Sequence, residues 1–297
     1  MYREVLAPRR NEDQRRTVRT VTMEFSSDVL TLDVNDHVAT LWLDRPEARN
    51  ALGGAFWRDL PLAAAALASD PSVRVVVVAA KGPHFSVGLD LKEYGVGFLA
   101  GGAEGSKATA NARTYQAVRT MQHSVTSLAA LEVPVIAAVH GYCIGGGVDL
   151  ITACDIRLAS ADAIFSVRET KVAIVADLGT LERLPRIVSA GHVAELAFTG
   201  KDIDAVRAEA IGLVNSLHGT SAEEVLAAAT QLAEEIAANS PIAVRGTKAV
   251  LAANDGRTVE EGLDFVARWN TMYLQSNDLR EAMTAFVERR APKFTGD

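Results

Sequence analysis

Val73–Ala80 reads VRVVVVAA and Val135–Val139 reads VIAAV. Both runs are short, apolar and rich in β-branched residues, the mark of strands buried in a core. Helical signals alternate with them. Ala112–Leu131 sets Tyr115, Val118, Met121, Val125 and Leu128 at helical spacing, and Gly147–Cys154 follows the second strand through a glycine turn. Upstream, Leu30–Val34 and Val38–Leu43 alternate apolar and polar residues around Asn35-Asp36-His37, a hairpin signal. Ile156–Ala159 and Ile164–Val167 are again strand-like, parted by Ser160-Ala161-Asp162. Alternating strands and helices predict an α/β fold.

Past about residue 220 the pattern turns helical, through Ala222–Asn239, Pro241–Ala253, Val259–Leu274 and Leu279–Arg289, with no strand signal. The N-terminal stretch is different again. It carries Arg9, Arg10, Arg15, Arg16 and Arg19 with almost no apolar periodicity, and Glu4, Glu12 and Asp13 depart from the acid-poor pattern of a transit peptide. The predicted organisation is a flexible tail over residues 1–27, an α/β core over 28–220 and a helical region over 221–297. Tyr94–Lys107 (YGVGFLAGGAEGSK) is glycine-rich and expected to be mobile.

Composition excludes several classes. With 48% hydrophobic and 23% charged residues the chain is neither disordered nor a coiled-coil rod. Its net charge of −7 weighs against nucleic acid as a partner, because phosphate contacts need clustered Lys and Arg. No apolar run reaches the ~20 residues that span a bilayer, so no membrane span is expected. Cys143 and Cys154 lie in apolar stretches without a CxxC neighbour or His at metal spacing. They read as buried inert thiols, which leads us to expect a reducing, cytoplasmic setting.

The segment most able to carry chemistry is His140-Gly141-Tyr142-Cys143-Ile144-Gly145-Gly146-Gly147-Val148-Asp149. Three glycines between a strand and a helix allow close backbone approach and leave N–H groups free at a helix start, where they can hold an oxyanion. A tight packing turn would use the same glycines, and this segment alone leaves both readings open. Phe85-Ser86-Val87-Gly88-Leu89-Asp90 places another glycine beside a strand exit. It is not a G-x-S-x-G nucleophile elbow, because position 84 is His. Asp149, Glu169 and Asp177 are the candidate acids. An acid in a first helical turn also complements the helix dipole, so Asp149 has a structural reading too. Asp177 lies within the apolar run VAIVADL, where an unpaired acid is costly.

The segments ARNAL (48–52), FSVGLDL (85–91), HGYCIGGGVDLITACDIRLAS (140–160) and DLREAMTAFVERRAPKF (278–294) resemble the enoyl-CoA hydratase/isomerase, or crotonase, superfamily. GGGVDLITACDIR followed by VRETKVAIVADLGTLERLPR looks like its Δ3,5-Δ2,4-dienoyl-CoA isomerase branch. The resemblance covers roughly residues 28–294.

The resemblance implies a spiral of strand-strand-helix turns topped by a helical C-terminal trimerisation region, as a homotrimer or homohexamer. It implies an oxyanion hole at the backbone N–H groups of Val87 and Gly146, gripping the thioester carbonyl of an acyl-CoA. Val87, Gly88, Leu89, Asp90 and Gly146 would bind the substrate. Asp149, Glu169 and Asp177 would be catalytic. Hydratases of the family activate water with two glutamates, at the positions of Asp149 and Glu169. Here the first is aspartate, shorter by roughly 1.5 Å. Many hydratases also carry a glycine-rich turn near the position of Asp177. The implied reaction is therefore isomerisation of 3,5-dienoyl-CoA to 2,4-dienoyl-CoA, in fatty acid β-oxidation, with no metal or redox cofactor. The alternative is hydration of a 2-enoyl-CoA.

Overall fold

The computed structural model describes residues 25–99 and 106–297. Residues 1–24 of the expected tail, and residues 100–105 of the glycine-rich segment, lie outside the described residues. The strands are β1 (Leu30–Asn35), β2 (Val38–Leu43), β3 (Val75–Ala80), β4 (Val135–Val139), β5 (Tyr142–Ile144), β6 (Ile156–Ala159), β7 (Ile164–Ser166), β8 (Ile203–Asp204) and β9 (Ser216–Leu217). The first helices are α1 (Gly54–Ser69), α2 (Leu91–Leu99), α3 (Lys107–Ala129), α4 (Gly146–Thr152) and α5 (Thr180–Arg183). They are followed by α6 (Ala190–Thr199), α7 (Ala205–Ala210), α8 (Ala222–Ala237), α9 (Pro241–Ala253), α10 (Val259–Tyr273) and α11 (Asn277–Glu288).

The predicted hairpin is present, with β1 and β2 antiparallel and closing at Asn35–Val38. From β2 onward the pairing is parallel, and the six-stranded sheet has the order β1-β2-β3-β4-β6-β9. Strand β3 is apolar at every position because both its faces are covered. Val76, Val78 and Ala80 join the core beneath α1 and α3. Val75, Val77 and Ala79 meet Val225, Ala229, Ala233 and Ala237 of α8. Alanines four residues apart let that helix approach closely. The core thus continues through Ala237, past the boundary at 220 expected from sequence. At the other end Phe25 is half-buried against the core, and the Ser27 hydroxyl donates to Asp59, so packing already begins inside the stretch expected as tail.

Helix α1 has no counterpart among the predicted elements, and Pro61 at its middle is the reason. Proline removes one N–H, which would have bonded the carbonyl four residues back. That carbonyl belongs to Trp57, and the buried Ser124 hydroxyl of α3 donates to it instead. The C-terminal helices start at Ser221, Ser240, Thr258 and Ser276, each side-chain oxygen accepting from a first-turn amide.

A smaller sheet, β5-β7-β8, pairs β5 parallel to β7 and β7 antiparallel to β8. It places the glycine turn that leads into α4.

Candidate active site

The two glycine segments predicted from sequence lie against each other. Ser86 N donates to Tyr142 O at 2.9 Å, and Ile144 N donates to Ser86 O at 3.0 Å. Their closeness requires glycine. A Cβ on Gly88, whose φ is +83°, would sit 2.7 Å from Ile144 O, and one on Gly147 would sit 3.2 Å from Ser86 O.

This arrangement decides which amides are free. Val87 N–H donates to Arg49 O at 3.2 Å, and Gly88 N–H donates to Ser86 Oγ at 3.1 Å. Val87 is therefore not an oxyanion donor, contrary to the sequence expectation. Leu89 N–H has no acceptor among the described residues, and neither has Gly146 N–H at the start of α4. A Cβ on Gly146 would lie 3.9 Å from Leu89 N, so the two free amides share one patch. Asp90, also expected to bind the substrate, has its carboxylate engaged within the protein. It is buried, pairs with Arg45 at 2.7 Å and accepts from the amides of Lys92 and Glu93 at the start of α2. These partners hold its carboxyl below the usual range, although burial is the largest influence and opposes them.

The acids are brought to the same place. Asp149 sits in the first turn of α4, 1% exposed. Its Oδ1 accepts from Thr180 N at 2.6 Å, which draws in the segment carrying Asp177. Glu169 follows β7, and its Oε1 lies 3.3 Å from where a Cβ on Gly145 would be, beside the free Gly146 amide. The other oxygen, Oε2, is buried with no hydrogen-bond partner.

The electrostatics follow from burial and like charge. Burial pushes Asp149 up to about 6, and Asp177 adds to the rise, while Thr180 and Arg183 oppose it. Burial pushes Glu169 up to about 7, helped by Asp149 and Asp177. Asp177, half-buried, is raised by burial and by Glu182. Three interacting carboxyls with raised proton affinity beside two unpartnered amides can bind a carbonyl oxygen and shuttle protons next to it.

Ser86 and His84 serve structure. Ser86 Oγ donates to Asn50 O, and His84 Nδ1 accepts from Tyr142 N. Cys143 and Cys154 are free, buried thiols whose proton affinity burial raises. Three features escaped the sequence reading: the free Leu89 amide, and Thr180 and Arg183 beside Asp149. The position after Gly88 is a signal for the first. Nothing local marks the other two.

A groove of about 1150 Å³ lies elsewhere, between the end of α4, Arg183, Arg186 and helix α9. It contains none of the three acids. No described helix is long and apolar enough to cross a membrane. No group of three or more His, Cys, Asp or Glu among the described residues is arranged to hold a metal ion.

Over 276 residues the chain is 41% identical to the Arabidopsis thaliana protein named Delta(3,5)-Delta(2,4)-dienoyl-CoA isomerase, peroxisomal, covering 92% of this chain and 99% of that one. Over 267 residues it is 42% identical to the mitochondrial protein of the same name from Dictyostelium discoideum, covering 89% and 90%. The crystal structure of an enoyl-CoA hydratase from Bacillus anthracis matches with a TM-score of 0.82 at 30% identity, covering 91% of this chain and all of that one. The fold is thus the crotonase-type α/β architecture expected from sequence. Residues 33–297 match the enoyl-CoA hydratase/isomerase family, and the chain belongs to that family.

Proposed function

We infer that this protein isomerises 3,5-dienoyl-CoA to 2,4-dienoyl-CoA, a step of fatty acid β-oxidation. The observation that carries this reading is the convergence of Glu169, Asp149 and Asp177 beside the free amides of Leu89 and Gly146. The names of the Arabidopsis and Dictyostelium relatives support the same substrate.

In this reading the thioester oxygen accepts from Leu89 N–H and Gly146 N–H. Each such donor contributes about 3–4 kcal/mol once negative charge develops on the oxygen. Glu169, beside that patch and with a pKa near neutrality, removes a C2 proton. The charge spreads over the carbonyl and the diene. Asp177 delivers a proton at C6, so the C3=C4 and C5=C6 double bonds become C2=C3 and C4=C5. One proton leaves and one arrives, and no electron is exchanged, so the chemistry calls for neither redox cofactor nor metal. Asp149, tied to Thr180, raises the proton affinity of Glu169 by its charge.

The test is turnover of purified protein on a 3,5-dienoyl-CoA and on a 2-enoyl-CoA, followed by ultraviolet absorbance. Rapid diene isomerisation with slow hydration is the expected result. Fast loss of the enoyl chromophore with no diene isomerisation would replace this reading by hydration.

The reading extends to assembly and placement. Val259, Met272, Phe286 and Val287 on the last two helices are 72–82% exposed, more apolar surface than a lone chain tolerates well. This supports a homotrimer or homohexamer, and light scattering at three or six chain masses is expected. The cytoplasmic placement rests on the two buried free thiols. Recovery of the chain in an organelle fraction would remove it.

A further inference from the structure

Residues 174–179 belong to no helix or strand, yet they carry an acid whose carboxyl must meet one carbon of the substrate. Something has to fix that stretch of backbone. Two side chains anchored on α3 do so. Gln122 Nε2 donates to Asp177 O at 2.7 Å. One turn further, Thr126 Oγ1 accepts from Arg183 Nη2 at 3.0 Å, and Arg183 Nη1 donates to Leu178 O at 3.2 Å. Consecutive carbonyls are thus held from one helix face.

The Gln122 amide is also oriented. Arg119 Nη1 donates to Gln122 Oε1 at 2.8 Å, which leaves Nε2 as the donor toward Asp177. We propose that Gln122 is a positioning residue for Asp177, setting the peptide on which the acid turns and thereby the reach of its carboxyl. Arg183 shares the task but also faces Asp149, so its replacement would disturb two acids at once. Gln122 touches only the Asp177 peptide and Arg119 among the hydrogen bonds described.

This proposal rests on the assignment of Asp177 as a catalytic acid, and the experiment separates the two. Gln122→Leu removes the donor, and Gln122→Glu keeps the shape and the Arg119 contact while also losing it. Circular dichroism and melting first establish that each folds. On 3,5-dienoyl-CoA, kcat is expected to fall roughly 10- to 100-fold, with KM within about twofold, because a displacement near 1 Å of a reacting group costs that much while the thioester grip is untouched. In an Asp177→Asn background the same change should cost less than about twofold, since Gln122 then has nothing left to position. Wild-type kcat in both variants overturns the proposal, and so does a full loss that persists in the Asp177→Asn background. If Asp177→Asn alone turns over at the wild-type rate, the assignment of Asp177 fails and Gln122 falls with it. A slow Asp177→Asn beside a fast Gln122→Leu removes Gln122 alone.

Discussion

The amide of Thr180 donates to Oδ1 of Asp149 across 2.6 Å, and this bond ties the segment after Asp177 to the first turn of α4. It joins residues 31 positions apart. It also sets a contest at Asp149. The bond favours the ionised form, whereas burial at 1% exposure disfavours it, and burial prevails.

That contest predicts an unusual pH dependence of stability. The folded pKa of Asp149 is about 6, above the ~3.9 of an unfolded aspartate. Between those values the native state binds more protons, so this group's contribution is fully present below pH ~4 and is lost as pH rises through 6. Asp149→Asn keeps an oxygen for the Thr180 amide and never ionises. The variant should melt higher than wild type at pH 8, by an equivalent of roughly 2–3 kcal/mol, with the gain vanishing near pH 4. Activity should fall. Equal melting at pH 8 would contradict the burial argument.

The oxyanion patch gives a second expectation. Gly146 opens α4, a position where proline fits a helix but has no N–H. Gly146→Pro should lose 10²–10³-fold in kcat, roughly the value of one such donor. Gly146→Ala keeps the N–H, and its Cβ would lie 2.9 Å from Cδ1 of the buried Leu52, which must shift to admit it, so activity should fall less than in Gly146→Pro. Steady-state kinetics on the two variants, with circular dichroism for the fold, provide the check.

Why some of this was readable and some was not follows from particular residues. Strand β3 is legible because both its faces are buried, which erases alternation and leaves an uninterrupted apolar run. Helix α1 is not, because Pro61 breaks its pattern and the compensating donor, Ser124, lies 67 residues away from Trp57. The apolar spacing of α3 overstated its buried face, since Tyr115 is 62% exposed and the described buried residues begin at Ser124. At the site, family resemblance nominated all three acids, but spacing could not bring them together. The resemblance places an oxyanion donor at Val87, whereas the free amide is that of Leu89, two residues on. No sequence pattern reveals that Arg49 O already takes the Val87 N–H.

Asp90 supplies a third test, with the opposite pH sign. Arg45 and two amides hold its proton affinity down, although burial, the largest single influence, pushes the other way. Its stabilising contribution is therefore present above an ordinary aspartate pKa and lost as pH falls through the lower folded value. Asp90→Asn should cost about 1.5–3 kcal/mol at pH 7, the worth of hydrogen bonds to a buried charge, with the cost shrinking in acid. KM for the thioester should hardly change. A large rise in KM at unchanged melting temperature would return Asp90 to the substrate site.

The sharpest test concerns Glu169, because the proposed mechanism gives it the first proton transfer. A base must be ionised to act, and burial beside Asp149 and Asp177 pushes this carboxyl up to about 7. The kcat/KM for 3,5-dienoyl-CoA should therefore rise with pH through a midpoint near 7, well above that of a solvated glutamate. Glu169→Gln keeps the shape and removes the base. Turnover should fall on the order of 10²–10⁴-fold, and any residual rate should lose the limb near pH 7. Exchange separates this acid from its partner. In deuterated water, Glu169→Gln should take up no deuterium at C2, whereas Asp177→Asn should still exchange there while failing to complete the diene shift. C2 exchange that survives in Glu169→Gln would assign the first proton transfer to another carboxylate. Asp149 would then be the next base to examine, since its Oδ2, unlike the Oδ1 bound to Thr180, accepts no hydrogen bond among the described residues.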